Sequence, residues 1–126
     1  DGKTYYAETR KAIKLANKTD WLKENVLPHL WGVYDNRSQI REQIIKFAGE
    51  NPEFWAYYGA YDWVVLCQLF GTMMELPKNW PMFCMDVKQL AVMKGDPELP
   101  QQKSAEHNAL ADAIWTKEAW EFLQNG

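Results

Sequence analysis

Two short apolar runs, each followed directly by a helical pattern, constrain the fold of this chain more than any other feature. Residues 54–58 form an aromatic run bounded by Pro52 and Gly59, and residues 82–85 form a second apolar run. Short runs of this kind favour buried strands when Gly or Pro bounds them. Strands that alternate with helices are typical of an α/β domain.

The helical patterns have recognisable ends. Asn36 is suited to cap a helix that ends before Gly49, because Gln39 stands at the third helical position as in a capping box. Residues 61–70 predict another helix, with Gly71 as its stop. Its inward positions are predicted to be Val65, Leu66, Leu69 and Phe70, and further helices are predicted over residues 10–16, 19–26, 87–93 (capped by Asp86) and 108–123, with a strand over residues 4–6.

The composition predicts a cytoplasmic protein with no membrane partner. No apolar run approaches the roughly 18 residues that a membrane span needs, and no signal-peptide pattern opens the chain. Cys67 and Cys84 have neither the spacing nor the neighbours of a metal site, so we interpret them as small buried hydrophobes in a reducing compartment. The length of 126 residues predicts one domain.

The charge of the chain argues against a protein that holds nucleic acid by bulk charge alone. Acidic residues outnumber basic ones by 17 to 14, which gives a net charge of −3. An enzyme that meets phosphates through bound divalent cations is still compatible with this balance, because such ions reverse the local sign of charge.

A histidine and an aspartate frame the start of the last predicted helix. His107 and Asp112 lie five residues apart, and within one regular helix this spacing would turn their side chains about 140° away from each other. If Asn108 caps the helix, His107 precedes it and both side chains can face one point above its first turns. A neutral imidazole beside a carboxylate near a positive helix end suits acid–base chemistry. The spacing alone favours the alternative, an ordinary surface His and Asp.

Asp62 stands where a predicted strand, a turn of small residues and a helix follow each other. In open α/β sheets, ligands bind beyond the carboxyl ends of the strands, so this position suits a functional site. The alternative is that Asp62 only caps the helix, and the residue type by itself favours the cap.

The segments around these residues resemble a known family. Tyr61-Asp62-Trp63-Val64-Val65-Leu66 and His107-Asn108-Ala109-Leu110-Ala111-Asp112-Ala113 resemble the second and third motifs of the DEDDh-type 3′-5′ exonucleases, which include ribonuclease T. The aromatic run before Tyr61, and Leu76-Pro77-Lys78-Asn79-Trp80-Pro81, are more similar to the small mycobacterial-type polyadenylate-specific 3′-exoribonucleases. The resemblance covers residues 35–126.

The resemblance implies a ribonuclease-H-like fold, a mixed central sheet flanked by helices, and metal-dependent hydrolysis from the 3′ end of single-stranded RNA or DNA. RNA is the preferred substrate of the more similar subfamily, and a homodimer is compatible with the resemblance. Asp62 and Asp112 are implied to hold two Mg²⁺ or Mn²⁺ ions, and His107 is implied to be the general base that takes a proton from the attacking water.

The aromatic residues next to Asp62 are candidates for contact with the substrate. Tyr61 and Trp63 flank Asp62 and are expected to line the nucleotide pocket. For the other aromatic residues of the preceding run, Trp55, Tyr57 and Tyr58, we expect core packing.

The first motif of the family is absent from its expected place. In the family, Asp-x-Glu on the first strand supplies two of four carboxylates, whereas the acidic pair with that spacing here, Asp96-Pro97-Glu98, lies in a predicted loop after the second motif. Asp1-Gly2 is a hairpin-turn pair without a strand before it. We therefore expect residues 1–126 to be one exonuclease-like domain that is incomplete at its N-terminus and lacks its first strands. We expect this chain to bind metal poorly and show little nuclease activity, and the intact protein to be active.

Two other functions are compatible with the sequence. A catalytically inactive exonuclease-fold module that binds nucleic acid or a protein partner would explain the absent motif. An unrelated α/β domain with chance motifs is the third alternative, and carboxylates of Asp62 and Asp112 more than about 10 Å apart would support it, because one two-metal centre cannot hold both.

Overall fold

The order of helices and strands follows the alternation predicted from the sequence. The computed structural model describes residues 2–8, 19–25, 28, 35–102 and 108–126, so the predicted helix over residues 10–16 lies outside the described residues. In these ranges no helix has the length and apolar character that a membrane crossing requires. The elements are α1 (Asp20–Asn25), α2 (Arg37–Ala48), β1 (Trp55–Ala56), α3 (Ala60–Phe70), a 3-10 turn (Met73–Glu75), β2 (Met85–Asp86), α4 (Val87–Met93) and α5 (Ala109–Asn125).

The two strands form a small parallel sheet. Trp55 pairs with Met85 and Ala56 with Asp86, and the Met85 amide donates to the carbonyl of Phe54 at 2.8 Å. Parallel strands joined through a helix confirm the predicted α/β character. Both strands are shorter than the predicted runs, and residues 4–6 form no strand. The described N-terminal segment makes hydrogen bonds to later parts of the chain. The Asp35 amide donates to the carbonyl of Glu8 at 3.0 Å, and the Tyr5 hydroxyl donates to Gln43 Oε1 at 2.6 Å.

Residues on and beside β1 pack on opposite sides of the sheet because side chains alternate along an extended chain. Phe54 packs against Trp63 and Trp80, with ring centroids 5.4 and 5.1 Å apart, in a cluster around buried Cys67 and Leu76. On the other side, α4 and α5 bury a second cluster against which Trp55 and Tyr57 pack: Val87, Ala91, Ala119 and Leu123.

Local signals fix the helix starts that lie near this sheet. Asn36 forms the predicted capping box with Gln39, Asp86 caps α4, and Asn108 caps α5 by accepting from the Ala111 amide at 3.0 Å. These caps confirm three predicted helix starts. The cap of α5 matters most for function, because it places Asp112 in the first turn of that helix.

The inward face of α3 differs from the prediction. Val65 is 64% exposed, whereas Cys67 is buried and Trp63 and Phe70 pack beside it. Trp63, Cys67 and Phe70 share one face at helical spacing, and Val65 points away from it. The prediction placed Val65 inward because it is aliphatic, but aromatic packing against Phe54 and Trp80 sets the rotation of the helix.

Candidate active site

Asp62 and Asp112, which are far apart in the sequence, lie on the two helices that begin near β1, and the charge of Asp112 acts on Asp62. Asp62 lies in the first turn of α3, directly after the turn that follows β1, and Asp112 lies in the first turn of α5, which packs on the same strand. Partial burial, then the charge of Asp112 and then that of Asp86, raise the pKa of the Asp62 carboxyl above its ordinary value. The two acids predicted to share a site therefore interact electrostatically.

Asp62 is not the cap of α3. The cap position belongs to Gly59, which has no side chain to accept a hydrogen bond. Within the described ranges the Asp62 carboxylate makes no hydrogen bond and no ion pair. The negative charges of Asp112 and Asp86 repel it. The interpretation of Asp62 as a simple helix cap is therefore wrong, and its carboxylate is available to an external cation or donor.

Asp112 is held in place by its own helix and by the loop before it. The Gln102 amide donates to Asp112 Oδ1 at 2.9 Å, and the Asp112 amide donates to the carbonyl of the cap residue Asn108 at 2.9 Å. One turn later, the Thr116 hydroxyl donates to the Asp112 carbonyl at 2.8 Å. No sequence pattern predicts the Gln102 contact, because it depends on how the loop over residues 94–102 folds back onto α5.

Asp86 is a third carboxylate at the same edge of the sheet, but it is occupied by backbone donors. Its Oδ1 accepts from the amides of Lys88 at 2.8 Å and Tyr58 at 3.1 Å, and its Oδ2 accepts from the Gly59 amide at 3.0 Å. The sequence predicted the cap of α4 and missed the two bonds to the turn after β1. A signal did exist, because the carboxyl ends of neighbouring parallel strands meet at one edge of a sheet.

Cys84 and Gly59 pack next to each other at this edge of the sheet. Burial, followed by the charges of Asp86 and Asp62, raises the pKa of the Cys84 thiol. A Cβ added at Gly59 would lie 2.6 Å from the Ala56 Cβ and 3.6 Å from Cys84 Sγ, so only glycine fits this close approach. Cys84 therefore acts here as a neutral packing group, and among the described residues neither cysteine is in a disulfide.

An open cavity of about 390 Å³ lies between β1 and α5, with Asp112 on its wall. Three of the nine lining residues are aromatic, and the Nε1–H of one of them, Trp120, is buried without a hydrogen-bond partner in the part of the chain that the structure describes. The lining residues are Glu53, Trp55, Ala56, Tyr57, Asp112, Ala113, Thr116, Lys117 and Trp120.

The aromatic residues near Asp62 divide into exposed and packed ones. Tyr61 is 85% exposed, so its ring is accessible to a substrate. Trp63 is half-buried against Phe54, which gives it a packing contact, and its predicted contact with nucleotide stays a prediction. Tyr58, for which we predicted core packing, is 65% exposed, so that prediction is wrong.

The other candidate residues for metal chemistry do not complete a cluster in the described ranges. His107 lies outside the described residues, and no group of three His, Cys, Asp or Glu side chains within them is gathered for a metal ion. Asp96, from the displaced acidic pair, lies in the loop after α4 and pairs with the Lys88 ammonium at 3.4 Å. Asp62 and Asp112 are therefore the carboxylates that the structure offers.

Comparison with known proteins identifies the family. Residues 14–124 match the family described as the 3′-5′ exoribonuclease Rv2179c-like domain. The chain belongs to this family. The 3′-5′ exoribonuclease Rv2179c of Mycobacterium tuberculosis (strain ATCC 25618 / H37Rv) and the 3′-5′ exoribonuclease MT2234.1 of Mycobacterium tuberculosis (strain CDC 1551 / Oshkosh) are each 36% identical to it over 121 residues, which is 90% of this chain and 71% of each relative.

Family membership confirms the predicted resemblance to the small mycobacterial-type exoribonucleases. The chain is thus a member of a family of hydrolytic 3′-5′ exonucleases, as predicted. The matched residues include both segments that carried the resemblance, around Asp62 and Asp112. The family match does not assign roles to individual side chains, so those roles depend on the geometry described above.

Proposed function

We propose that this protein is a metal-dependent exoribonuclease that removes nucleotides one at a time from the 3′ end of single-stranded RNA, within a ribonuclease-H-like fold. The observation that carries the proposal is the electrostatic interaction of Asp62 with Asp112 in a member of an exoribonuclease family. RNA is favoured over DNA because the curated relatives are named exoribonucleases.

The donor chemistry of the site fits Mg²⁺ or Mn²⁺. Asp62 and Asp112 present carboxylate oxygens, which are the hard ligands that these cations prefer. The carboxylate of Asp62 is opposed by two neighbouring acids, so a cation would relieve its electrostatic penalty. When bound, two such ions would neutralise charge at the scissile phosphate and align the attacking and leaving oxygens.

The remaining steps fall to groups of the chain itself. Asp112 is oriented by Gln102, and the position of Asp62 is set by the turn that Asp86 holds. His107 directly precedes the cap of α5 in the sequence, and its ordinary pKa of about 6.5 suits a base that takes a proton from water near neutral pH. A positioned base of this kind contributes about 10²- to 10⁴-fold to a rate.

The test is 3′-end trimming of a 5′-labelled single-stranded RNA by the complete gene product in Mg²⁺ or Mn²⁺. We expect a ladder of products that requires the metal and disappears in Asp62→Asn and Asp112→Asn. His107→Ala should slow trimming by about 10²- to 10⁴-fold. Glu118→Gln is the matched control, since it removes one exposed acid from the same helix as Asp112 and should trim like the wild type.

Each other outcome points to a different conclusion. Undiminished trimming by Asp112→Asn would contradict the assignment of that carboxylate. No trimming of RNA or of a matching DNA, together with RNA binding, would favour the alternative of an inactive exonuclease-fold module. Faster trimming of DNA than of RNA would contradict the proposed substrate class while leaving the hydrolytic mechanism in place.

A further inference from the structure

Two side chains that the catalytic proposal does not use lie at the edge of the sheet where Asp62 lies. Tyr58 follows β1 and Lys88 follows the end of β2, and because the strands are parallel, both residues lie at the same edge. The Asp86 Oδ1 atom accepts from both of their amides, at 3.1 Å from Tyr58 and 2.8 Å from Lys88. One carboxylate therefore fixes the spacing between the two backbones.

Tyr58 has an unusual backbone and an unusual exposure. Its φ of +53° lies in the left-handed region, which residues other than glycine adopt rarely. The side chain is 65% exposed and contacts Tyr57 edge-on, with ring centroids 4.9 Å apart. An aromatic residue in a strained conformation that buries little of its ring contributes little to the core, and such strain is concentrated at functional sites.

The positive charge of Lys88 interacts electrostatically with the Tyr58 phenol. The Asp96 carboxylate and then the Tyr58 phenol raise the pKa of the Lys88 ammonium. The ion pair between the Lys88 ammonium and Asp96 Oδ1 is 3.4 Å long, and 31% of the Lys88 side chain and 64% of the Asp96 side chain are exposed. Exposed pairs of this kind are weak, so a phosphate group can displace Asp96 from the ammonium.

We propose that Tyr58 and Lys88 together bind one nucleotide of the RNA strand, with its base stacked on the Tyr58 ring and a phosphate paired with the Lys88 ammonium. The inference rests on the proposed exoribonuclease function and assigns a substrate contact at that site. Tyr58 lies four residues before Asp62, next to the turn from which α3 begins. Stacking on an aromatic ring tolerates every base, which suits an enzyme that trims RNA without reading its sequence.

The strain at Tyr58 allows a test that separates binding from stability. Gly accepts a positive φ without strain, so Tyr58→Gly should leave the Tm unchanged or raise it. In the same variant of the complete gene product, the Kd for a fluorescent single-stranded RNA oligonucleotide should rise about tenfold, because the stacking surface is gone. Tyr58→Phe keeps the ring and should bind RNA like the wild type.

Lys88 is tested by the salt dependence of the same equilibrium. For single-stranded nucleic acid, each phosphate contact adds about 0.7 to the slope of log Kd against log salt concentration. Lys88→Gln should therefore lower the slope by about that amount, which a purely structural role would not do. Lys78→Gln and Phe83→Ala are the controls, because they remove an exposed lysine beyond the far end of α3 and an exposed aromatic ring before β2.

The outcomes distinguish this inference from the function on which it rests. If the wild-type chain binds RNA and Tyr58→Gly binds it equally well, the contact at Tyr58 is refuted and the exoribonuclease proposal stands. An unchanged salt slope in Lys88→Gln refutes the phosphate contact in the same way. If the complete gene product trims RNA but binds none measurably under any salt condition, the contact at Tyr58 and Lys88 is overturned and the proposed function stands. If it neither binds nor trims RNA, the proposed function is overturned as well.

Discussion

The Asp86 carboxylate accepts a hydrogen bond from the Gly59 amide at 3.0 Å, so the end of β2 holds the turn from which α3 begins. The same carboxylate caps α4 through the Lys88 amide. Asp62 lies in the first turn of α3, and its position therefore depends on an acid that the catalytic proposal does not itself use. Asp86 positions the site by fixing the backbone around it.

Replacement of Asp86 should destabilise the fold more than loss of an ordinary helix cap. Asp86→Ala removes the acceptor of three backbone donors, whereas loss of a cap by itself costs about 1 kcal/mol. Because hydrogen bonds to a charged acceptor are stronger than bonds to a neutral one, we expect the free energy of unfolding to fall by at least about 2 kcal/mol. Urea denaturation at neutral pH measures the free energy of unfolding.

Asn36→Ala provides the matched control for this prediction. Asn36 caps α2 by accepting a hydrogen bond from the Gln39 amide, so its replacement by alanine should lower the free energy of unfolding by about 1 kcal/mol. Equal losses in the two variants would mean that the bonds from Asp86 to Tyr58 and Gly59 contribute nothing.

Features governed by neighbouring residues could be predicted from the sequence. The caps at Asn36, Asp86 and Asn108 depend on one side chain and the amides two or three residues later, and the structure places all three as expected. The resemblance to a family predicted that Asp62 and Asp112 share a site, and the charge of Asp112 does raise the pKa of Asp62. Their spacing alone gave no such result, because it favoured a cap and a surface pair.

Features that depend on packing between distant segments were missed. Val65 points outward because Trp63, on the same helix, packs against Phe54. The spacing of apolar residues along the helix does not predict that contact. Tyr58 is exposed because its backbone is in the left-handed region, a conformation that the preferences of tyrosine do not predict. The contact of Gln102 with Asp112 depends on the path of a loop. In each case the deciding interaction joins parts of the chain that are separate in the sequence.

Gly59 should tolerate no side chain while Ala56 keeps its own. The Cβ of Gly59→Ala would lie 2.6 Å from the Ala56 Cβ, well inside the 3.5–4.0 Å at which carbon atoms make favourable contact. Overpacking of this kind costs about 1–3 kcal/mol, and the shift of the turn would also displace Asp62. We expect a lower Tm and slower RNA trimming.

A second substitution tests the reason for that loss. Ala56→Gly removes the atom with which the new side chain collides, so Gly59→Ala combined with Ala56→Gly should recover stability relative to the sum of the single variants. A double-mutant cycle on the free energies of unfolding measures this recovery. Strict additivity of the two substitutions would show that the collision is not the cause.

Removal of the charge of Asp62 should stabilise the protein at neutral pH. Partial burial and the charges of Asp112 and Asp86 raise the folded-state pKa of this carboxyl, so its ionised form opposes folding. The penalty is fully present above the raised pKa and is lost as the pH falls below the ordinary value of 3.8, where both states bind the proton. Asp62→Asn should therefore have a higher Tm than the wild type at pH 7, with a difference that shrinks towards pH 3.

A change in net charge without a change at the site is the necessary comparison. Glu50→Gln removes one negative charge from the exposed segment after α2, distant in sequence from the carboxylate pair. Thermal unfolding of the three proteins from pH 3 to pH 7 separates the effects. A pH-dependent gain of equal size in Glu50→Gln would assign the stabilisation to net charge and contradict a specific penalty at Asp62.

Two tryptophans on α5 should respond differently to the same substitution. The Trp115 Nε1–H donates to the Pro100 carbonyl at 2.7 Å, whereas the Trp120 Nε1–H is buried and has no partner in the described ranges. Substitution by phenylalanine removes the indole N–H group and the same part of the ring volume at both positions. Trp115→Phe also loses a hydrogen bond, while Trp120→Phe relieves an unsatisfied donor, so Trp115→Phe should be less stable by about 1–3 kcal/mol. Urea denaturation of both variants gives the difference directly, and equal losses would mean that the Trp120 N–H carries no penalty.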